Sequence, residues 1–435
     1  MTAVSRGIDR IEVTFDEPNL VANAGLLLVS TLVVRLGLER LINATVHLTG
    51  RVGGALPGRK VLTLVHAIVA GGSHIDHADM LRAGATGAVL GHRVMAPSTV
   101  GTFLRSFTFG HVRQLDCVMA EALRRAWGMG AGPRGGQVVV DLDSTICEVC
   151  GTAKVGAGYG YTKKLGYHPL LATRAGTGEI LHVRMRKGAA NTQRGAKRFV
   201  EELVARLRRA GATGELVMRF DSGFWSNATI ATLSRLEVGY TMGVRMVKSV
   251  VAAVSVIDES EWKPIDYTSD GEAEVAECEY KGQRLIVRRT RLLGRQATLW
   301  PQWRHFAFIT DLEGEAVDVD AFHRAHATVE LAIRDLKEGA GMEHVPSGNF
   351  NANAAWLVCA ALAHDLIRWT AMLGEITPKE QLTVARTVRT RFFSIPGRLV
   401  SRAGRPTLRA PIGWPWAEAF ERALGLLRTL PPVPV

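Results

Sequence analysis

The stretch from Val138 to Thr145, VVVDLDST, constrains this chain more than any other. Val138, Val139, Val140 and Leu142 are the aliphatic and β-branched residues of a buried strand, yet Asp141 and Asp143 stand among them. An ionised carboxylate in a sheet interior is costly unless it is paired or bound to a cation. Two residues apart on a strand, the two acids point to the same face. A fold that tolerates them must place compensating charge beside that face.

The surroundings read as α/β. The glycine-rich run GMGAGPRGG, from Gly128 to Gly136, marks a boundary before the strand. Beyond it come two strands around a Gly-Thr-Gly turn (YHPLLATRAGTGEILHVRMR), the helix AKRFVEELVARLRRAG, the strand ELVMRFDS, a short helix near Asn227 to Leu236 and the strand VGYTMGVRM. In the first of these helices Phe199, Val200, Leu203, Val204 and Leu207 form one apolar face, and Gly211 is a natural stop. Alternation in AEVAECEY and RLIVRRTRLL predicts a small antiparallel sheet, an insertion spanning 248–310. A late helix, AFHRAHATVELAIRDLKEG, resumes the α/β unit, and AAWLVCAALAHDLIRWTAML is apolar and helical.

The first third reads as helical. After APST, with Ser98 or Thr99 as the expected N-cap, Val100, Phe103, Leu104 and Phe107 recur at the spacing of one buried stripe. The apolar run from Ala24 to Val34 is about half of the ~20 residues needed to cross a bilayer and reads as a core helix, so no membrane role is expected. The N-terminus lacks the layout of a secretory signal. Five scattered cysteines do not make a disulfide scaffold and fit a reducing cytoplasm. Cys147 and Cys150 form a C-x2-C without a second pair, and HIDHAD, from His74 to Asp79, lacks a fourth ligand; a packed thiol pair and a solvated turn are the plainer readings.

Two further acids sit where they could join Asp143. Asp221 ends an apolar strand just before Ser222 and Gly223, and Glu330 lies on the late helix. At about 100° per residue, His323, His326, Glu330, Arg334 and Lys337 fall within a sector of roughly 80°, beside an apolar sector of Val329, Ala332, Ile333 and Leu336. Oxygen ligands select hard divalent ions, and two such ions about 3.5–4 Å apart can drive phosphodiester displacement. Asp141 then reads as a supporting acid, not a primary ligand. The formal net charge of +12 and the basic clusters Lys163-Lys164, Arg184 to Lys187, Arg194 to Arg198 and Arg284 to Arg295 favour a polyanionic partner.

Taken in order, DLDSTICEVCG, RFDSGFWS and the H-x2-H-x3-E-x6-K pattern from His323 to Lys337 resemble the three catalytic boxes of DDE-type insertion-sequence transposases of the cut-and-paste kind. The subgroup it looks like carries a β-strand insertion between the second Asp and the Glu. YTKKLGYHPLLAT and RKGAANTQRGAKRFV are similar to the stretches between that subgroup's first two boxes. The resemblance implies an RNase H-like catalytic core interrupted by a β-rich insertion, with helical N- and C-terminal regions. The expected divisions are 1–130, helical and DNA-end binding; 131–247, first part of the core; 248–310, insertion; 311–345, core with the catalytic Glu helix; and 346–435, helical.

Carried over residue by residue, the resemblance makes Asp143, Asp221 and Glu330 catalytic metal ligands for two Mg²⁺, or Mn²⁺, per site. Lys337, His326 and His323 stand at the family's phosphate-contact positions, and Arg334 would either contact phosphate or pair with Glu330 at i,i+4. The basic cluster Lys163-Lys164 would contact phosphate by its place around the core, and Trp300 or Trp303 would stack on an extruded base. The family has Tyr and Arg where His323 and His326 stand, and neutral imidazole grips phosphate less firmly than guanidinium. The implied partners are double-stranded DNA, as element ends and target, and a second protomer. The alternatives are an RNase H-like nuclease without strand transfer, and a catalytically decayed DNA-binding protein.

Overall fold

The computed structural model describes residues 8, 10–160, 162–267, 271–292, 303–378 and 380–433. Its first part is a stack of helices: α1 (Leu26–Arg35), α2 (Leu38–Thr45), α3 (Pro57–Val69), α4 (Pro97–Arg105) and α5 (Phe109–Ala126). The stripe read after APST packs as expected, for Val100, Phe103, Leu104 and Phe107 are all buried. The cap differs. Helix α4 starts earlier than a Ser or Thr cap would allow, with Ala96 as N-cap and Pro97 in the first turn, because proline's fixed φ suits that position and its missing N–H needs no partner. Helix α5 opens on a capping box in which Thr108 and His111 satisfy each other's backbone N–H groups. It runs into a wide turn over Trp127–Ala131, where Gly130 takes φ +103° and ends it.

The central sheet has nine strands: β1 (Val138–Ser144), β2 (Leu170–Arg174), β3 (Ile180–Arg184), β4 (Leu216–Phe220), β5 (Gly239–Val244), β6 (Lys263–Pro264), β7 (Gly271–Tyr280), β8 (Gln283–Leu292) and β9 (Arg304–Thr310). Their spatial order is β6-β7-β8-β9-β5-β4-β1-β2-β3. Strands β1, β4 and β5 are parallel neighbours, joined by α6 (Ala196–Ala210) and α7 (Asn227–Arg235), while β2 and β3 form an antiparallel hairpin against β1. The β1/β4 register runs from Val138 opposite Leu216 to Leu142 opposite Phe220, so Asp141 faces Arg219 and the two strands end side by side on Asp143 and Asp221.

The strands expected to make a separate small sheet instead extend this one. Strand β9 pairs with β5 from Ala307 opposite Val244 to Thr310 opposite Thr241, and β8, β7 and β6 lie outward of it in turn. Strand β5 would otherwise present an open edge of unpaired amides and carbonyls, and the added strands close it. The hairpin carries its own apolar cluster of Val275, Ile286 and Phe308, capped by Ala316 and Val319 of α8 (Ala316–Arg324). A short helix, Lys248–Val254, leads into it.

Helix α8 continues through a tight turn, Ala325–Thr328, into α9 (Val329–Arg334) and a wide turn, Asp335–Gly339. Then α10 (Phe350–Leu373) passes through the middle of the molecule. It is long and apolar enough by composition to cross a membrane, yet its whole apolar window is buried within the protein. The C-terminal region is not wholly helical: an arginine-rich hairpin, Gly397–Arg402 with Arg405–Arg409, pairs with the short strand Leu20–Val21 before α11 (Ala417–Thr429) packs on α1.

Helix α10 is apolar on all sides except where it meets the sheet and the late helix. There the fully buried Arg368 donates to Asp335 Oδ2 at 2.9 Å and to the Thr177 carbonyl at 3.1 Å, and Asp365 Oδ1 accepts the Ile180 amide at 2.8 Å. Removing one partner of such a pair leaves the other charge buried and unmatched. Arg368→Met is therefore expected to lower the unfolding free energy by about 3–5 kcal/mol in urea denaturation followed by circular dichroism. The double variant Arg368→Met, Asp335→Leu should recover part of that loss.

Candidate active site

The two acids of β1 have opposite environments. Asp141 is buried, at 1% exposure, and fully engaged: Arg219 reaches it with Nε at 2.7 Å and Nη2 at 2.8 Å, and His326 Nδ1 lies 2.8 Å from its Oδ1. An ionised carboxylate only accepts, so His326 carries its proton on Nδ1. The remaining Nη1 of Arg219 donates to the Phe322 carbonyl at 2.8 Å. Asp141 thereby ties β1, β4 and the end of α8 into one unit, and its charge is matched by protein.

Asp143 and Asp221 have no such partner. Among the described residues neither they nor Glu330 form an ion pair with a lysine, arginine or histidine within 4 Å. The Ser144 amide donates to Asp143 Oδ1 at 2.6 Å, and the Gly223 amide to Asp221 Oδ1 at 3.0 Å. Burial, reinforced by the negative charges of Asp221 and Glu330, pushes the Asp143 pKa up to about 6 against the pull of the Ser144 amide and His326. Asp221 is raised too, again chiefly by the protein packed around it, although one side of the residue remains open to solvent; the Gly223 amide, His326, Arg245 and His168 oppose the shift. Gly243 on β5 allows the turn after Asp221 to come close, since a Cβ there would stand 2.9 Å from the Ser222 nitrogen.

Glu330 is exposed at the start of α9, with its charge felt by Asp143. The single polar sector expected for this helix does not form, because the axis is not uniform. Tight turns advance by ~120° per residue and wide turns by less than 100°, so each shifts the phase of the residues after it. His323 points into the sheet: its Nδ1 is 2.7 Å from Thr241 Oγ1, its ring stacks on Phe308 with centroids 4.1 Å apart, and burial drives its pKa down to about 3. The expected phosphate contact by His323 is thus corrected to a packed, neutral ring. His326 is committed to Asp141 and holds the helix to the sheet. Lys337 donates from Nζ to the Ile146 carbonyl at 3.0 Å, next to the β1 exit. Arg334 is exposed and lines a separate cavity with Arg386 and Arg389; no ion pair joins it to Glu330 among the described residues.

The remaining expected contacts lie further out. Lys163 is exposed in a turn with φ +57°, and Lys164 is paired with Glu148. Trp303 is half-buried with the guanidinium carbons of Arg289 and Arg291 each 4.5 Å from its ring, whereas Trp300 lies outside the described residues. In the C-x2-C, Cys147 is buried, with its thiol pushed up to about 12, and Cys150 is exposed.

Several residues that shape the site carry no motif that singles them out. His168, fully buried, places Nδ1 at 2.7 Å from the Ala190 carbonyl and Nε2 at 2.9 Å from Ser144 Oγ. The carbonyl fixes the proton on Nδ1, so Ser144 must donate to Nε2, and Thr192 Oγ1 stands 3.3 Å beyond Ser144 Oγ. Arg186, 8% exposed, holds the same loop from beneath by donating to the carbonyls of His168, Asn191, Thr192 and Arg194 at 2.8, 2.8, 3.1 and 3.0 Å. The Asp143 exit and the loop at 190–194 are therefore one hydrogen-bonded assembly.

The donor set fits a hard divalent cation. It offers carboxylate oxygens only, and their mutual repulsion is relieved by no neighbouring ion pair among the described residues. Asp143, Asp221 and Glu330 are not drawn within 4.8 Å of one another; among the described residues, the group that brings three ligand atoms that close is a different one, Asp116, His182 and Glu202. Its charge is already matched: Arg206 donates to Asp116 at 2.6 Å, Arg113 bridges Asp116 and Glu202 at 3.0 Å each, and Arg184 and Arg198 complete the set on Glu202. That cluster fastens α5 and α6 to β3.

Fold and site together define a mixed α/β protein built on a large sheet, with two acids, Asp143 and Asp221, that have no ion pair among the described residues where two parallel strands end. The chain matches the family model described as transposase DDE domain group 1 over residues 5–432, and it belongs to that family of transposases. Among solved structures, a cryo-EM structure of a piggyBac transposase synaptic complex with hairpin DNA is 13% identical, with a TM-score of 0.48, and the match covers 85% of this chain and 79% of that one. No curated protein sequence matches the chain.

Asp143 makes stability depend on pH in a defined direction. Its folded pKa lies above its ordinary 3.8, so ionisation penalises the folded state. The penalty is absent below pH 3.8, grows as pH rises to about 6 and is complete above that. It amounts to roughly 2–3 kcal/mol after allowance for partial solvent screening. In metal-free buffer, Asp143→Asn should melt at a higher temperature than the parent at pH 8, with the gap closing near pH 4. Added Mg²⁺ should stabilise the parent and leave the variant unchanged.

Proposed function

We propose that this transposase is the enzyme of an insertion sequence, cutting DNA at terminal inverted repeats and joining the freed 3′-OH to target DNA. The observation that carries the reading is the contrast within one strand: Asp141 is neutralised by Arg219 and His326, while Asp143 stands beside Asp221 and feels the charge of Glu330, with no ion-paired protein cation among the described residues to neutralise them. The parallel pairing of β1 with β4 and the antiparallel β2 and β3 support an RNase H-like core, formed by 131–247 and 311–345 and interrupted by the β-rich 248–310. On this reading 1–130 engages the element ends and 346–435 supports the core.

Asp143, Asp221 and Glu330 would hold two Mg²⁺, or Mn²⁺. Ions bound there supply Lewis-acid charge, lowering the pKa of an attacking hydroxyl and stabilising the leaving oxygen. The protein's own residues keep the donors in place. Ser144 and Gly223 direct one oxygen each on Asp143 and Asp221 by their backbone N–H groups. Arg219 and His326, through Asp141, set the distance between the sheet and the helix that carries Glu330. Lys337, at the β1 exit, is placed to meet a phosphate arriving at Asp143. Acting on two ends calls for two copies of the chain on the DNA.

The test is a strand-transfer assay on duplexes that carry the element's own ends. With Mg²⁺, Asp221→Ala and Glu330→Gln should each lower cleavage and joining by roughly a hundredfold or more, and His326→Gln by about ten- to a hundredfold through displacement of the helix. A parent that cleaves without ever yielding joined product would identify a nuclease using water alone. Binding of DNA with no Mg²⁺-dependent cleavage would identify a decayed protein. Full activity of Asp221→Ala would overturn the assignment.

A further inference from the structure

A cavity of about 400 Å³ opens beside Asp221, within the ~300–1,000 Å³ range of small-ligand sites. Its lining includes Ser222 and Gly223, which come directly after Asp221, the loop residues Asn191 to Gln193, and Tyr159, Trp225 and Arg245. One wall is the loop that Arg186 and His168 hold by its carbonyls, so it is rigid before anything binds. The other is Trp225, whose indole rests against Tyr280 and Lys281 at the tip of the β7–β8 hairpin, with the ring of Tyr280 centred 6.0 Å away and Lys281 Nζ 5.6 Å from the indole. Tyr159 is 65% exposed. Arg245 is exposed and makes no hydrogen bond or ion pair among the described residues, yet it lies close enough to Asp221 to lower its pKa.

We propose that this cavity seats one nucleotide of the cleaved strand, next to the phosphodiester that the acids act on. The base lies against Trp225 and Tyr159, and its phosphate meets Arg245. The chemistry of the lining selects that ligand: two aromatic surfaces and an exposed guanidinium suited to phosphate, while the side chains of Asn191 and Gln193 are engaged with the Arg194 amide and the Trp225 carbonyl and so help to fix the walls. Proximity to Asp221 orders the strand, because a nucleotide fixed there limits which phosphate can reach Asp143. The inserted hairpin, by bracing Trp225, becomes part of strand selection. The inference rests on the reading of the chain as a DNA-cutting enzyme.

The probe is a single-stranded oligothymidylate about twelve nucleotides long, carrying one 5-iodouracil, bound to the full chain in Ca²⁺ buffer, irradiated and mapped by peptide mass spectrometry. The expected cross-link falls on Trp225 or Tyr159. Trp225→Leu should abolish coupling at that position and weaken binding about fivefold or more, with Trp225→Phe restoring most of the affinity. Arg245→Gln, a change at an exposed position that leaves packing untouched, should weaken binding and flatten its dependence on salt. Thermal melts of each variant separate loss of the fold from loss of the site. Cross-links confined to other peptides, with both variants binding as the parent does, would overturn the cavity assignment and leave the enzyme reading intact. No binding by the parent would overturn both.

Discussion

The buried pair of Asp141 and Arg219 is the contact on which the site depends. Parallel register places the two residues opposite each other on β1 and β4, and two hydrogen bonds join them. Burying two charges is costly, and a pair of this kind is retained where its geometry accomplishes something that an apolar pair cannot. Here it recruits His326 to Asp141 and the Phe322 carbonyl to Arg219, so a helix remote along the chain is registered against the sheet by polar contacts of fixed geometry. An apolar substitute would pack the helix against the sheet without specifying which turn stands over the strand ends. Glu330 lies one helical turn beyond His326, and that registration brings its charge to bear on Asp143.

Charge matching elsewhere gives the unmatched acids their meaning. This chain carries an excess of arginine and lysine and pairs its acids freely, as Asp116 and Glu202 show with four guanidinium groups around them. Asp335 has Arg368, Asp320 has Arg288 and Arg324, and Asp141 has Arg219. In a protein with cations to spare, leaving Asp143 beside Asp221 with no ion-paired cation among the described residues is a property of the site, and it costs folding stability. A hard cation from solution would resolve the conflict, and the same want of paired protein cations among the described residues would keep the carboxylate oxygens available to it.

Much of this is legible in the sequence because it rests on local pattern. The strands at Asp143 and Asp221, helices α6 and α7, the buried stripe of α4 and the core helix α10 all emerge from periodicity and punctuation. The separate roles of Asp141 and Asp143 are foreshadowed by their spacing, but Arg219 as the partner of Asp141 is not, since cross-strand register is set by tertiary pairing. A uniform helical phase misplaces His323 relative to Glu330, because it cannot anticipate the tight turn at Ala325–Thr328 between them. The inserted strands read correctly as antiparallel and wrongly as separate, for alternation reports which face is buried and not which edge a strand joins. His168 and Arg186 act through backbone carbonyls, which leave no trace in residue type.

The continuity of the sheet has a mechanical consequence for the site. Because β9 pairs along β5, the β7–β8 hairpin is fixed to the strand that immediately precedes Arg245, and Tyr280 and Lys281 at its tip lie against Trp225. On the other side, β1 leads through Ser144 and His168 to the loop held by Arg186. The acids thus stand between two walls carried by the same hydrogen-bonded sheet, one by way of its core strands and one by way of its extension. A movement of the hairpin edge would be felt at Trp225, whereas Asp143 and Asp221, at the ends of interior strands, would keep their relative positions. The acid cluster and the aromatic wall at Trp225 are in this way separable in the fold. A change in the hairpin can shift the wall at Trp225 and leave the acid cluster unchanged.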